Sequence, residues 1–380
     1  MSARRQRQMC IRDSFEGELL IQTDLAKTLK IISEKGRDGF YKGSVANKIA
    51  KAMKDNNGLI TKSDLENYNP VWRKPLTSQY RGNNVITMGP PSSGGLHIIQ
   101  MLNILENYDL KEVNHNSKEY INLLTEVMKY AYSDRSKYLG DPDFYDVPVE
   151  KITSKKYGKR IFNDIEIGQS KPVGEVKPGM YLETESHETT HFSVADADGN
   201  IVSSTYTLNS TFGSGVVIKG TGIVMNNEMD DFSAAPGIPN QFNLLGAEAN
   251  EIAPNKRPLS SMTPTIVMKN NELFFTTGSP GGSRIISAVL QSILNIIDFD
   301  MNLEETTKAR RIHHQWFPDI LEVEYSLDNK TRKELEDMNY SIVITDPLTC
   351  LQLIMYKDKK FYGYGDFRRV DAYASGEIND

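Results

Sequence analysis

TTHFSVADADGNIVSSTYTLNSTFG, residues 189–213, holds five threonines and four serines in and around two β-rich runs, Phe192 to Ala195 and Ile201 to Tyr206. Valine, isoleucine, threonine and aromatic side chains suit a pleated surface, and turn residues separate the runs. On composition alone this is a hydroxyl-rich, half-exposed sheet. The same character continues through Gly222 to Met225, Thr265 to Lys269 and Leu273 to Thr277, with Asn270-Asn271 joining the last two as a hairpin.

Upstream the period is helical. Leu20, Ile21, Leu25, Leu29, Ile32, Phe40, Val45, Ile49 and Met53 predict two or three short helices between Gly17 and Asn57. Leu59 to Tyr80 reads as extended or loop-like. A strand at Asn84 to Met88 runs into GPPSSGG, residues 89–95, a turn expected to end in a serine helix cap because Leu96, Ile99, Leu102 and Leu105 come next on one helical face. A helix over about Glu119 to Leu139 stops at Gly140-Asp141-Pro142, and residues 146–188, polar and broken by Pro172 and Pro178, read as a surface-exposed segment. Downstream, Ile286, Val289, Leu290, Ile293 and Ile297 mark a helix over Ser283 to Ile297. Another helix covers about Leu327 to Met338, and strands fall near Ser341 to Thr345 and Leu351 to Tyr356. This order fits sheets sandwiched by helices.

The 380 residues carry 44 Lys+Arg against 50 Asp+Glu, a net charge of −6, with 39% hydrophobic residues. That balance argues against nucleic acid or an anionic membrane as the main partner. Cys10 and Cys350 make no disulfide framework, and no C-x-x-C or H-E-x-x-H spacing suggests a metal site. Apolar runs such as Leu353 to Tyr356 fall far short of a membrane-spanning segment. Residues 1–14 break sharply in composition from the chain beyond Phe15. Arg4 to Ser14, RRQRQMCIRDS, resembles the in-frame translation of a transposon adaptor used in sequencing-library preparation. These residues are expected to be an artefact, with the native chain beginning upstream of Phe15.

The 189–213 stretch also resembles the signature of the γ-glutamyltranspeptidases, members of the N-terminal nucleophile hydrolases. The resemblance continues through DGFYKG (38–43), GPPSSGG (89–95), DRSKYLGDPDF (134–144), GIVMNNEMDDFS (222–233), PNKRPLSSM (254–262), TGSPGGSR (277–284) and RIHHQW (311–316), in the family's order. It implies an α+β fold, the four-layer αββα sandwich, here incomplete at the N-terminus. It also implies a precursor that cuts itself between Glu188 and Thr189, so that 15–188 is the C-terminal part of a large subunit and 189–380 a small catalytic subunit.

By motif position, Thr189 is then the nucleophile. The cut frees its α-amino group, ordinarily titrating near pH 8, beside its own hydroxyl, so one residue supplies nucleophile and base. Thr207 matches the threonine that orients the nucleophile. Gly281 and Gly282 match the pair whose N–H groups stabilise the oxyanion. Asn209, Glu228 and Asp231 match the positions that bind the substrate's α-ammonium, and Ser260 and Ser261 those that bind its α-carboxylate. The family's carboxylate-binding arginine, early in the large subunit, has no assignable counterpart. Pro236 to Asn255 resembles a lid loop, with Phe242 where many bacterial relatives carry tyrosine. His191, His313, His314 and Cys350 are expected to pack or hydrogen-bond.

The implied reaction is γ-glutamyl transfer from glutathione or another γ-glutamyl compound to water, an amino acid or a dipeptide, through an ester on Thr189. No metal or organic cofactor is implied, nor a nucleic-acid partner or membrane segment. Family resemblance points to a periplasmic or secreted enzyme. Two alternatives stand beside it: a cephalosporin (glutaryl) acylase or poly-γ-glutamate hydrolase of the same family, and an inactive, non-catalytic fragment.

Overall fold

The computed structural model describes residues 17–177, 189–235, 237–241, 243–325, 327–347 and 349–376. The adaptor-like residues 1–14, Glu188 and Phe242 lie outside them. The chain divides into two compact units, one running to Trp72 together with Ser214–Met225, the other comprising Arg73–Gly213 and Asn226–Asp380.

In the first unit, α1 (Thr23–Lys35), α2 (Arg37–Tyr41) and α3 (Gly43–Asp55) lie where the sequence predicts two or three helices before Asn57. α4 (Lys62–Asn67) lies where the sequence predicts an extended segment. A capping box makes it: Thr61 Oγ1 accepts the Asp64 N–H at 3.2 Å and the Asp64 carboxylate accepts the Thr61 N–H at 2.7 Å. Val45, Ala46, Ile49 and Leu65 form the unit's core with Ile218, from the short pair β5 (Val217–Ile218) and β6 (Ile223–Val224). Thr28 Oγ1 donates to Thr221 O at 2.8 Å and Lys48 Nζ to Gly220 O at 2.7 Å, tying the late hairpin to the early helices.

The second unit centres on an antiparallel six-stranded sheet. Its strands are β1 (Leu76–Tyr80), β2 (Asn83–Thr87), β7 (Thr265–Lys269), β8 (Glu272–Gly278), β12 (Gln352–Lys357) and β13 (Lys360–Gly365), adjacent in that order. Asn270 and Asn271, both at positive φ (53° and 65°), make the tight β7–β8 turn read from the sequence. Val85, Val267, Phe275 and Met355 lie opposite one another in a single row, all buried in the main core. The helices that bury this core are α5 (Gly94–Leu105), α6 (Lys118–Tyr138) and α9 (Arg284–Ile297).

Strand alternation places the second sheet. Thr277 Oγ1 hydrogen-bonds Ser292 of α9 at 2.8 Å, on the helix side. Its neighbour Gly278 faces the other way, where a Cβ would come within 2.0 Å of the His191 ring. His191 belongs to β3 (Thr190–Ala195), which pairs with β4 (Ile201–Tyr206) and packs on β8 and β12. The described layers therefore run helices, six-stranded sheet, two-stranded sheet, within an α+β fold.

Two local expectations change. The segment after residue 146 is not merely surface: α7 (Val149–Ile152) and α8 (Lys155–Phe162) bury Ile152 and Ile161, and Val176 is buried where its carbonyl accepts Trp316 Nε1 at 2.9 Å. The sparse apolar residues of this stretch fall on single helical faces, which its overall polarity hides. Ser93, expected to cap α5, makes no side-chain cap; its hydroxyl donates instead to Ser260 O at 2.8 Å. Among the described residues, the other α-helices and strands are α10 (Leu303–Lys308), α11 (Asn329–Asp337) and the small sheet β11 (Ile342–Thr345), β10 (Leu321–Glu324), β9 (Ile312–His313).

Candidate active site

Thr189 immediately precedes β3 and is buried, at 9% exposure. The last rung of the hairpin pairs Thr190 with Tyr206, so the chain ends on either side bring Thr189 and Thr207 together. The Thr189 hydroxyl lies 3.4 Å from Thr207 Oγ1, long for an O–H···O bond. Thr207 Oγ1 accepts the Asn209 N–H at 2.7 Å, in a turn where Asn209 adopts φ 74°. Asparagine tolerates that left-handed conformation better than most residues. Asn209 Nδ2 then donates to Asn227 O at 3.2 Å, which couples this turn to the loop carrying the acidic residues.

Glu228 and Asp231 bracket a short 3-10 turn. Both carboxyl groups have raised pKa values, first because burial disfavours the charged form; for Asp231, held well above the usual range, the charge of Glu228 adds to it. Glu228 Oε1 is shielded from solvent with no hydrogen-bond partner among the described residues. Such a pair is poised for a cation that would neutralise it.

The third part of the site comes from two loops lying side by side. Ser93 N–H donates to Ser260 O at 2.8 Å and Ser260 N–H to Pro91 O at 2.9 Å. Beneath them sits Arg135 of α6, 4% exposed. Its Nε donates to Ser93 Oγ at 3.0 Å and its Nη2 to Ser261 Oγ at 3.2 Å. Burial lowers the guanidinium pKa to about 10, and the negative charge of Asp231 works in the opposite direction. Sequence reasoning recognises the stretch holding Arg135 and gives the residue no role. The available signal is its place at helical spacing behind Leu124, Met128 and Ala131, on an otherwise apolar buried face.

Hydrogen bonds thus link Thr189, Thr207, Asn209 and the loop of the acidic turn, and separately Arg135 with Ser93 and Ser261, while charge couples Arg135 to Asp231. Gly281 and Gly282, at φ 130° and 54°, are placed by α9: their carbonyls accept the N–H groups of Arg284 at 3.0 Å and Ile285 at 3.2 Å. In the lid-like segment, Gln241 Oε1 accepts Ser210 Oγ at 3.1 Å, and the Gln241 N–H donates to Asp230 at 2.7 Å. An open groove of about 1710 Å³ runs along β3, β12 and β13 but includes neither Thr189 nor the acidic pair. His191, its pKa lowered to about 4 by burial, is a neutral imidazole hydrogen-bonded to Thr205 Oγ1 at 2.8 Å. His313 bonds Ser287 Oγ at 2.7 Å, and His314 bonds Asp319 at 3.1 Å.

The family model for gamma-glutamyltranspeptidase matches residues 12–376. The chain belongs to the γ-glutamyltranspeptidase family. Against the glutathione hydrolase proenzyme of Escherichia coli it is 50% identical over 362 residues, which is 95% of this chain and 62% of that protein. It is 38% identical to the acylase ACY 1 proenzyme of Pseudomonas sp. (strain SE83), covering 86% of this chain and 56% of the relative. The cephalosporin acylase from Bacillus halodurans superposes with a TM-score of 0.84 at 27% identity, covering 98% of this chain and 66% of that one. The chain therefore spans under two thirds of these γ-glutamyltranspeptidase relatives, and the N-terminal nucleophile hydrolase fold is common to them.

Proposed function

We propose that this chain carries the catalytic half of a self-processing γ-glutamyl hydrolase and transferase. Water hydrolyses the Glu188–Thr189 peptide bond and frees the Thr189 amine. That amine takes the proton of its own hydroxyl, the oxygen adds to the carbonyl carbon of a γ-glutamyl amide, and the C–N bond breaks as the proton passes to the departing amine, leaving a γ-glutamyl ester on Thr189. Water, an amino acid or a dipeptide then takes the acyl group. Glutathione and related γ-glutamyl compounds are the donors, Gly281 and Gly282 donate to the oxyanion, and Thr207 orients the nucleophile. Large and small subunits come from one precursor, 15–188 being the C-terminal part of the large subunit and 189–380 the small one, in a periplasmic or secreted setting.

The observation that carries this reading is the pairing of the Thr189–Thr207 hydroxyls with an anionic turn and an arginine-backed serine pair. An α-ammonium suits the first and an α-carboxylate the second, so a free amino-acid head is the chemistry that fits both. A glutaryl group lacks the ammonium and would leave Glu228 and Asp231 uncompensated, which ranks acylase activity second. Intact mass measurement of the purified chain beside Thr189→Ala tests the proposal. A 189–380 fragment in the parent alone is expected; an uncut parent, or equal cutting of both, overturns it.

A second reading rests on the β3–β4 hairpin. Its outer face exposes Phe192, Val194, Val202 and Tyr206. An uncovered apolar face of this kind favours a chain that, by itself, turns over weakly or not at all.

A further inference from the structure

We propose that Arg135 is the positioning residue of the carboxylate-binding serines: its buried guanidinium, anchored on Ser93, orients the Ser261 hydroxyl toward the α-carboxylate of a γ-glutamyl substrate and sets a positive charge against Asp231. This rests on the γ-glutamyl reading above and adds to it a residue from the large-subunit part of the chain.

Donor and acceptor capacity decides which way each hydroxyl points. A guanidinium has five N–H donors and no acceptor, so each serine it touches must present oxygen to it. Ser93 Oγ accepts from Arg135 Nε at 3.0 Å and donates its only proton to Ser260 O at 2.8 Å, so its orientation is set and it anchors the fork. Ser261 Oγ accepts from Arg135 Nη2 at 3.2 Å, and its proton has no acceptor among the described residues. That proton is directed away from the arginine and awaits an anion. The same arginine and Asp231 act on each other's charge, so the guanidinium that bonds Ser261 is also felt by the acidic turn. Backbone bonds between the 89–95 and 260–262 loops hold the serines at this spacing. A lysine would keep the charge and lose the fork.

The test uses the full chain and two probes, L-glutamate and 4-aminobutanoate, which lacks only the α-carboxylate, with affinities measured by calorimetry. The parent should prefer glutamate. Arg135→Met should weaken glutamate by about tenfold or more while leaving 4-aminobutanoate within about twofold, since the lost hydrogen bonds are to a charged group. Arg135→Met combined with Ser261→Ala should be no worse than either alone. Ser93→Ala, which removes the anchor and keeps the charge, should give a smaller loss confined to glutamate, and it serves if Arg135→Met does not fold. Equal weakening of both probes, or unchanged discrimination in Arg135→Met and Ser93→Ala, overturns the positioning role. A parent that binds neither probe, or both alike, overturns the γ-glutamyl reading itself.

Discussion

At the scale of single residues, the acidic turn sets binding against stability. Glu228 and Asp231 have folded-state pKa values above their ordinary ones, so the folded chain keeps protons that the unfolded chain has already released. Stability contributed by the protonated forms is present below the usual carboxylate range and is lost as pH rises through the raised values. Glu228→Gln is therefore expected to melt a few degrees above the parent at pH 7, with the gap closing towards pH 4; thermal melts across that range check it, and a gap independent of pH would contradict it. The same change should weaken an arriving ammonium. These two carboxylates are legible in the sequence as a motif match, whereas their burial is not: EMDD, residues 228–231, looks like any solvated turn. Arg135 shows the converse. Its helix can be read from period and stop signal, but its role depends on Ser93 and Ser261, distant in sequence and brought together only by the packed loops.

Among elements, the β3–β4 hairpin teaches most. Alternation locates both strands, yet the faces are inverted from the usual soluble pattern. His191, Ser193, Ser203 and Thr205 belong to the face turned to β8 and β12, while Phe192, Val194, Val202 and Tyr206 face outward. Period gives two faces and cannot say which one a second layer will cover. A different element, the RIHHQW stretch, reads as a family motif and is structural in its first residue. Arg311 and Arg368 share Asp366, with Glu324 completing a buried network that joins β9, β10 and the end of β13. Asp366 also accepts the Leu351 N–H at 2.9 Å. Asp366→Ala leaves two buried guanidinium groups facing one carboxylate, and should cost about 3–5 kcal/mol in urea unfolding. A loss under about 1 kcal/mol, the level of an exposed pair, would show that the network is solvated.

For the whole molecule, the expected cut and the compact units divide the chain differently. A break before Thr189 would separate 15–188 from 189–380, yet the six-stranded sheet pairs β2 with β7 across that division. The smaller unit likewise seats Ile218 in the core of the early helices. Sheet hydrogen bonds and core burial of this extent do not depend on one peptide bond. The two pieces are expected to co-elute on size exclusion after cleavage and to part only in denaturant; separate native elution would refute the shared core. No helix among the described residues is long and apolar enough to cross a membrane.

Local chemistry decided much of this protein in the sequence itself: helices by their period, the Asn270-Asn271 turn by asparagine's tolerance of positive φ, and family membership by motifs spread from DGFYKG to RIHHQW. These properties act over a few neighbouring residues, so a linear reading reaches them. Only the tertiary structure decided that Ser93 would hold Ser260 rather than cap a helix, that the segment after residue 146 would bury Ile161, and that Arg135 would bond Ser93 and Ser261. Burial and pairing of polar groups are set by what packs against them. Here the partners lie tens to more than a hundred residues away.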